Sequence, residues 1–290
     1  MTIFLYILAA VCAAAVLAAA FYSGLTVRNY AIESPKIKDN GCLRIVHLSD
    51  LHSTSHGKGQ KRLRETIELC MPDMIVMTGD MVDDRRKDAP ARELFSYVQS
   101  LGIPAYCVCG NHETYISDLS GTLDMIRSYG IRPLDGESEE ITVRGVPMLI
   151  CGISDPRKYS RKGYEEWEKA IRGSFGDVKD RERLTILLSH RPEKAKLYSE
   201  IGFDIAFCGH AHGGQARIPG LINGLYYNGQ GLFPKYAGGI YSLEKDKGRT
   251  VMTVSRGLSL FWNLPRIFNP PEVVCVTVSA PDRENIFTAK

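Results

Sequence analysis

The chain has 290 residues, of which 44% are hydrophobic and 24% are charged. This composition is typical of a folded globular protein and argues against disorder. The formal net charge is only +3, and the short basic clusters are scattered rather than gathered into the basic face of a nucleic-acid binder. We therefore expect no nucleic-acid partner.

The N-terminal segment is the first feature along the chain. Residues 1–27 carry no charged side chain, and Ile3 to Tyr22 is nearly unbroken apolar sequence. About 20 helical residues at 1.5 Å rise cross a hydrocarbon core of roughly 30 Å. We predict a single-pass transmembrane anchor over residues 1–25. A cleaved signal peptide and a buried core helix stay open as alternatives, although the segment lacks the basic start of a typical signal peptide.

The charges after this segment indicate its orientation. Arg28, Lys36 and Lys38 follow the span, and nothing basic precedes it. The positive-inside rule therefore favours a cytoplasmic location for the rest of the chain. The 8 cysteines fit that side, because most lie in apolar, strand-like runs where cysteine behaves as a small buried residue and not as part of a disulfide framework.

The region between the span and the first apolar run is polar. It contains Pro35 and ends at Gly41, and residues 26–41 are therefore expected to form a short tether. A single folded domain is expected over residues 42–290.

From Cys42 onward, apolar runs of strand length end in polar or titratable residues. The runs are 43–48, 74–77, 105–109, 184–188 and 205–208. Helical stretches, about 60–70 and 91–101, separate the first three runs, and this βαβαβ order predicts parallel strands covered by helices. Later strands are expected at about 148–153, 252–254 and 273–278. They come without clear helices between them, and we expect a second, more antiparallel sheet packed on the first.

Each of the five runs carries Asp, His or Asn at its carboxyl end, where sites form in open α/β sheets. These residues are Asp50, His52, Asp80, Asn111, His190, His210 and His212. Taken singly, each is more often a turn, a cap or a structural residue. However, five of the 7 histidines fall at these strand ends, and chance placement would scatter them. We interpret the set as a metal site.

The ligand types indicate which ions bind. Imidazole, carboxylate and amide ligands without cysteine favour Mn²⁺, Fe²⁺ or Zn²⁺ over copper or an iron–sulfur cluster. Six or seven ligands are too many for one tetrahedral zinc. We therefore expect two divalent metal ions.

The motifs that contain these residues resemble the five sequence blocks of the calcineurin-like metallophosphoesterases. The blocks are Asp50-x-His52, Gly79-Asp80, Gly110-Asn111-His112-Glu113, an isolated His190 and Gly209-His210-x-His212, in this order. The resemblance covers about residues 42–280. It implies an α/β fold, a four-layer αββα sandwich of two face-to-face β-sheets with helices outside, here preceded by the N-terminal transmembrane helix. The neighbouring residues resemble the membrane-anchored or exported bacterial branch, some members of which act on lipid-linked pyrophosphates.

The resemblance also implies a division of the ligands. One metal would take Asp50, His52 and His212, the other Asn111, His190 and His210, and Asp80 would bridge the two. Two ions that share a water lower its pKa towards neutrality and neutralise charge on the phosphoryl oxygens. His112 would be the general acid for the departing oxygen or a hydrogen-bond donor to the transition state, with a purely orienting role as the alternative.

Other polar residues near the blocks receive lesser roles. We expect Glu113 and Asp83 to support the ligands or cap helices. His47 lies on the opposite face of its strand from Asp50 and is expected to be structural, and His56 has no assignment. The Gly- and Tyr-rich stretch 221–241 has three open interpretations: a wall of the pocket, a lipid contact or a packed loop.

The function expected from these features is dinuclear-metal-dependent hydrolysis of a phosphoester. We expect a phosphodiesterase or pyrophosphatase that acts on a membrane-associated, lipid-linked substrate through a metal-bridging hydroxide. A phosphomonoesterase or phosphoprotein phosphatase is the second hypothesis, although no motif assigns an arginine to the substrate phosphate. A non-catalytic metal-binding scaffold is the third. The oligomeric state is not indicated.

Overall fold

The computed structural model describes residues 1–38, 41–159, 164–176, 178, 182–245, 248–260 and 265–281. Within these ranges the α-helices are α1 (Thr2–Ala20), α2 (Lys61–Cys70), α3 (Ala89–Ser100), α4 (Asn111–Tyr115), α5 (Leu119–Ser128), α6 (Glu165–Phe175) and α7 (Ala195–Ile201). The strands are β1 (Thr26–Glu33), β2 (Cys42–Leu48), β3 (Met74–Met77), β4 (Ala105–Cys107), β5 (Arg132–Pro133), β6 (Glu137–Val143), β7 (Val146–Ile153), β8 (Leu184–Ser189), β9 (Ile205–Cys208), β10 (Tyr226–Tyr227), β11 (Gly231–Leu232), β12 (Gly239–Lys245), β13 (Gly248–Val254) and β14 (Glu272–Ser279).

The strands form two large sheets and one short hairpin. The first sheet has the order β1-β14-β2-β3-β4-β5, and the second has the order β12-β13-β9-β8-β7-β6. Strands β10 and β11 pair with each other. In the first sheet, β2 through β5 run parallel and β14 lies antiparallel to β2. The carboxyl ends of β2, β3 and β4 therefore share one edge.

The two sheets pack face to face, and helices cover their outer faces. Ile45 and Val76 of the first sheet belong to one buried cluster with Ile186 and Phe207 of the second. Apolar side chains of α2 and α3 pack on the other face of the first sheet. Side chains of α6 and α7 do the same for the second sheet. The predicted four-layer α/β sandwich is confirmed.

The second sheet differs from the expectation of a more antiparallel arrangement. Its central strands β7, β8, β9 and β13 pair parallel to one another, and only its two edges are antiparallel. Helices α6 and α7 supply the crossovers that parallel strands require. The signal for α6 is present in the sequence, because Trp167, Ile171 and Phe175 recur every fourth residue and are all buried.

The predicted tether also differs from the structure. Its first eight residues form β1, which pairs in parallel with β14 from Thr26↔Glu272 to Glu33↔Ser279. As an edge strand, β1 leaves most of its side chains at least partly exposed, and only Ile32 is buried. The polarity of residues 26–33 therefore suggested a linker. They form a strand because they pair with β14, which lies about 245 residues later in the chain.

Helix α1 is apolar throughout, and only Ala20 is buried. Its mean hydropathy of 2.6 and length of 19 residues are sufficient to cross a membrane. A buried core helix is excluded by this exposure. The structure thus contains a candidate membrane span, joined by five residues to the start of β1.

Candidate metal centre

The facing carboxyl edges of the two sheets bring the predicted ligands together. They are Asp50, His52, Asp80 and Asn111 from the first sheet and His190, His210 and His212 from the second. Potential ligand atoms of six of these residues lie within 4.8 Å of one another in two groups that share Asp50: Asp50, His52 and His212, and Asp50, Asp80, His190 and His210. A third group joins His52 and Asp80 to His112. The seventh residue, Asn111, lines the cavity above them. Neither sheet alone could form this cluster.

Tight left-handed turns aim the ligands into the cluster. Positive φ angles occur at Asp50 (53°), His52 (47°), Asp80 (54°), His210 (65°) and His212 (47°). This conformation costs roughly 1–2 kcal/mol per L-residue, although Asp and His adopt it more readily than most side chains. The strand ends therefore reverse sharply and place their side chains between the sheets.

A close approach of two loops explains the glycines of the second and third blocks. Gly79 has φ 90°, and a Cβ there would lie 2.3 Å from the Gly110 nitrogen. A Cβ on Gly110 would lie 2.2 Å from Oδ1 of Asp80. A larger residue at position 79 would push the two loops apart, and one at position 110 would displace the Asp80 carboxylate.

Two imidazoles face each other in one half of the centre. Nε2 of His52 lies 3.3 Å from Nε2 of His212, and Oδ1 of Asp50 lies 3.5 Å from the latter. Nδ1 of His52 donates to Oδ2 of Asp83 at 3.1 Å, which fixes the ring and directs its second nitrogen inward. Convergent nitrogen and carboxylate atoms of this kind fit a divalent cation.

The other half contains buried ligand atoms that lack partners. Nδ1 of His190 donates to the Thr78 carbonyl at 2.6 Å, so its Nε2 points towards Asp80. Among the described residues, Nδ1 of His210 and Oδ1 of Asn111 are buried without a hydrogen-bond partner. Buried polar atoms are normally satisfied, and a bound cation would satisfy both.

Asp80 occupies the middle of the cluster. Its Oδ1 accepts from the backbone N–H of His112 at 2.8 Å, and its Oδ2 lies 3.1 Å from Nε2 of His190 and 3.7 Å from Nε2 of His52. Burial opposes its ionisation, but the charges of His190 and His52 hold the Asp80 pKa well below its usual value. Asp80 is therefore a carboxylate within reach of both halves.

Glu113 fixes the loop that carries Asp80. Its carboxylate accepts from the backbone N–H groups of Asp80, Met81 and Val82 and of Gly110, at 2.7–2.9 Å. Four backbone donors on one buried carboxylate form strong, charge-assisted bonds. Glu113 thus holds together the loops that carry Asp80 and Asn111, and it caps the N-terminus of α4.

His112 lies at the cavity wall, with 17% of its side chain exposed. Its Nδ1 donates to Oδ1 of Asp84 at 2.5 Å, which leaves Nε2 as the ring atom available to a substrate. The sequence did not single out Asp84. Its only signal was its position in the acidic pair that follows the Gly79-Asp80 block.

A cavity of about 340 Å³ opens above the ligands. Arg85, Arg157 and Arg191 line it, together with Tyr115 and the hairpin tyrosines Tyr226 and Tyr227. No motif identified these arginines. Arg191 is 6% exposed and donates from Nε to Oδ2 of Asp155 at 2.5 Å, and it also donates to Nε2 of His210. Carboxylates and imidazoles therefore lie at the base of the cavity, and guanidinium groups lie around it.

The remaining histidines lie outside the cluster. His47 is fully buried, contacts Oγ1 of Thr78 at 2.7 Å, and burial lowers its pKa to about 3. His56 contacts the Leu258 carbonyl at 2.8 Å. Both contacts are structural. Of the three interpretations of stretch 221–241, the pocket wall is present, through Tyr226 and Tyr227.

Comparisons with known proteins agree with this geometry. The family model of the calcineurin-like phosphoesterases matches residues 43–214. An uncharacterized metallophosphoesterase of Aquifex aeolicus is 30% identical over 260 residues, covering 88% of this chain and 92% of the relative. UDP-2,3-diacylglucosamine pyrophosphatase LpxG of Chlamydia muridarum is 26% identical, covering 80% and 82%. The structure of Haemophilus influenzae NAD nucleotidase has a TM-score of 0.51 at 18% identity, covering 76% of this chain and 46% of that one, and shows the fold alone.

Metal uptake should release protons. Burial disfavours the charged form of His190, but Asp80 outweighs it and raises the His190 pKa to about 10 in the metal-free protein. Because this pKa is raised, the imidazole is protonated at pH 7, and a cation must displace that proton. We expect release of about one proton from His190 on binding, with apparent affinity that increases from pH 6 to pH 8. Calorimetric titration with Mn²⁺ in buffers of different ionisation heats measures this, and pH-independent binding without proton release would contradict it.

Proposed function

The chain belongs to the calcineurin-like phosphoesterase family and is a metal-dependent phosphoester hydrolase, and we propose that its substrate is a membrane-associated, lipid-linked phosphodiester or pyrophosphate. The observation that carries this proposal is the arginine-rimmed cavity directly above the metal-ligand cluster, in a chain that begins with a membrane-length apolar helix. A cationic rim attracts an anionic substrate. The helix keeps the protein where lipid substrates are found.

We propose that the seven predicted ligands hold two divalent ions, Mn²⁺, Fe²⁺ or Zn²⁺. The facing His52 and His212 and the adjacent Asp50 support one position. The unpartnered atoms of Asn111 and His210 support the other. When bound, the ions would acidify a water and neutralise charge on the phosphoryl group. The central carboxylate of Asp80 supports its proposed role between them.

The surrounding side chains would bind the substrate and move one proton. Arg191, held by Asp155, and Arg157 are placed to bind phosphoryl oxygens, as guanidinium groups do through paired N–H donors. His112 would donate a proton from Nε2 to the departing oxygen, and Asp84 would hold the ring in the required tautomer. Tyr115, which packs under Arg157 at 5.3 Å, would keep that guanidinium in place.

We propose an anchor over residues 1–25 and one catalytic domain that includes β1. The relative named as a UDP-2,3-diacylglucosamine pyrophosphatase supports a lipid-linked pyrophosphate as the substrate class. The positive charges of Arg28 and Lys36 next to the span support a cytoplasmic domain. All eight cysteines are free thiols, six of them buried, and this also fits a reducing compartment.

Phosphomonoester hydrolysis is the second candidate. The observation that favours it is the set of three arginines, because a dianionic monoester needs more positive charge near the metals than a diester does. The same cavity would then act on a phosphorylated small molecule or side chain.

Substrate preference separates the two candidates. After chelation and addition of Mn²⁺, we expect the protein to hydrolyse bis-p-nitrophenyl phosphate faster than p-nitrophenyl phosphate, and to cleave one member of a panel of lipid-linked pyrophosphates and phospholipids in mixed micelles. Faster release from the monoester would favour the second candidate. No turnover of any of these compounds at full metal occupancy would overturn the hydrolase function proposed for this site.

Two substitutions separate metal binding from proton donation. His112→Ala should keep its metal content and lose about 10²–10⁴-fold in kcat, the usual contribution of a general acid. Asp80→Ala should lose metal, because the carboxylate proposed to lie between the two ions is gone. Metal content by mass spectrometry and kcat should be measured on the same samples. An empty site in His112→Ala would show that His112 is a ligand.

The side of the membrane on which the catalytic domain lies can be determined by labelling a native cysteine. Cys42 is exposed at the start of β2, and the other exposed cysteine, Cys12, lies within α1. For a cytoplasmic domain, a membrane-impermeant maleimide should label Cys42 only after cells are permeabilised. Cys42→Ser is the matched control and should lose that labelling. Equal labelling of intact cells would place the domain outside.

A further inference from the structure

The end of the anchor helix is fixed beside the metal ligands. The backbone N–H of Phe268 donates to the Ala20 carbonyl at 2.7 Å. The next residue, Asn269, is fully buried and donates from Nδ2 to the carbonyl of His212 at 2.7 Å. One dipeptide therefore connects the end of α1 to a proposed ligand loop.

The strand pairing in the first sheet also places the end of the anchor helix near the candidate metal centre. Thr26 pairs with Glu272, and β14 then pairs antiparallel with β2, with Val274 opposite His47. The start of β1 and the carboxyl end of β2 therefore lie at one edge. Five residues separate Ala20 from Thr26, a reach of at most about 22 Å for an extended chain. The edge that carries the metal centre is the edge nearest the anchor.

A loop with an unusual surface lies at this edge. We call residues 218–233 the apolar loop. Of the ten large apolar side chains exposed in the described chain beyond residue 22, six lie in this loop. They are Ile218, Leu221, Leu225, Tyr226, Leu232 and Phe233, with exposures of 43–79%. Exposed apolar patches on this scale mark interaction surfaces.

The apolar loop is ordered and tied to the anchor segment. Arg217, just before it, donates its backbone N–H to the Ile267 carbonyl at 3.0 Å, next to the residue that bonds the anchor. Within the loop, the N–H of Phe233 donates to the Leu225 carbonyl at 2.8 Å, and φ of Phe233 is 52°. Phe233 is 61% exposed, so these backbone contacts hold an apolar side chain at the surface.

Positive charge flanks the apolar loop. Arg28, Arg217 and Arg256 lie around a single carboxylate, Glu272, which pairs with Arg28 at 3.6 Å and with Arg256 at 3.2 Å. Nε of Arg217 is buried without a hydrogen-bond partner among the described residues. Three guanidinium groups with one acid leave net positive charge where the anchor emerges, and anionic lipid headgroups complement such a charge.

We propose that the apolar loop inserts into the headgroup boundary of the leaflet from which the anchor emerges, with Arg28 and Arg217 on anionic headgroups and Arg256 buried behind them, so that the cavity takes its phosphoester directly from the bilayer. Apolar side chains beside basic ones are the usual composition of interfacial membrane contacts. Tyr226 belongs to both the apolar loop and the cavity wall, so the loop borders the cavity. This inference builds on the lipid-linked substrate proposed above.

Insertion can be measured independently of catalysis. Full-length protein with Phe233→Trp should be reconstituted into phosphatidylcholine–phosphatidylglycerol vesicles with and without brominated acyl chains. The control is Leu69→Trp. Leu69 is 77% exposed, close to the 79% of Leu221, and lies near the end of α2 at the opposite sheet edge, where Asp73 bonds to Arg44. We expect brominated acyl chains to quench the emission of the tryptophan introduced at position 233 and to leave the emission of the one introduced at position 69 unchanged. Equal emission with and without bromine at 233 would overturn the proposal.

A second measurement tests delivery of the substrate. Leu221→Asp should reduce kcat/KM on a bilayer-embedded lipid pyrophosphate about tenfold and leave hydrolysis of bis-p-nitrophenyl phosphate unchanged, while Leu69→Asp should change neither. An unchanged lipid reaction in Leu221→Asp would overturn the delivery step. If the parent hydrolyses neither compound, the proposed function fails, and quenching at 233 still decides insertion. Cross-linking of position 233 to a second copy in vesicles, with no quenching, would assign the loop to a dimer instead and overturn membrane docking.

Discussion

The structure depends on one electrostatic constraint, which is the burial of two carboxylates among four imidazoles at the junction of two sheets. Asp50 is completely buried and Asp80 is 1% exposed. Burial raises the pKa of Asp50, and the neighbouring charge of Asp80 raises it further. Two such groups cannot both ionise comfortably without positive charge between them. Divalent cations at the proposed site would supply that charge, and metal binding would then contribute to the stability of the folded protein as well as to its chemistry.

Bringing these side chains together requires unfavourable backbone conformations in the loops that carry them. Left-handed turns at the strand ends and the close approach of Gly79 to Gly110 oppose folding in isolation. The Glu113 carboxylate offsets part of that cost by accepting four backbone N–H groups. The layers of helices behind both sheets then keep the two edges in register. Rigid strands thus support strained loops, an arrangement that places ligands more accurately than flexible segments would.

The sequence identified the residues that the fold brings together as a cluster, because their signal is local. A sequence motif such as Asp50-x-His52 after an apolar run determines both the turn and the side chains that the turn presents. Features that depend on distant partners could not be predicted in this way. Strand β1 is regular only because it pairs with β14. Arg191 is placed in the cavity only because Asp155, 36 residues earlier, anchors its guanidinium. Helix α7 was missed for a different reason, because it is only seven residues long and gives little periodicity, whereas α6 was missed although its periodicity is present in the sequence.

Residues 268–272, which lead into β14 of the first sheet, also connect the candidate metal centre to the proposed membrane anchor. Phe268 bonds the end of α1, Asn269 bonds the loop of His212, and Glu272 starts β14 and donates its N–H to the Gly257 carbonyl. Gly257 lies two residues before Ser259, whose N–H donates to the carbonyl of Asp50 at 2.8 Å. The distance from anchor to ligands is therefore set by paired backbone and not by a flexible linker. With the proposed anchor in a bilayer, the cavity would lie at a fixed depth near the bilayer surface, and this supports the lipid-linked phosphoester proposed above over a soluble one.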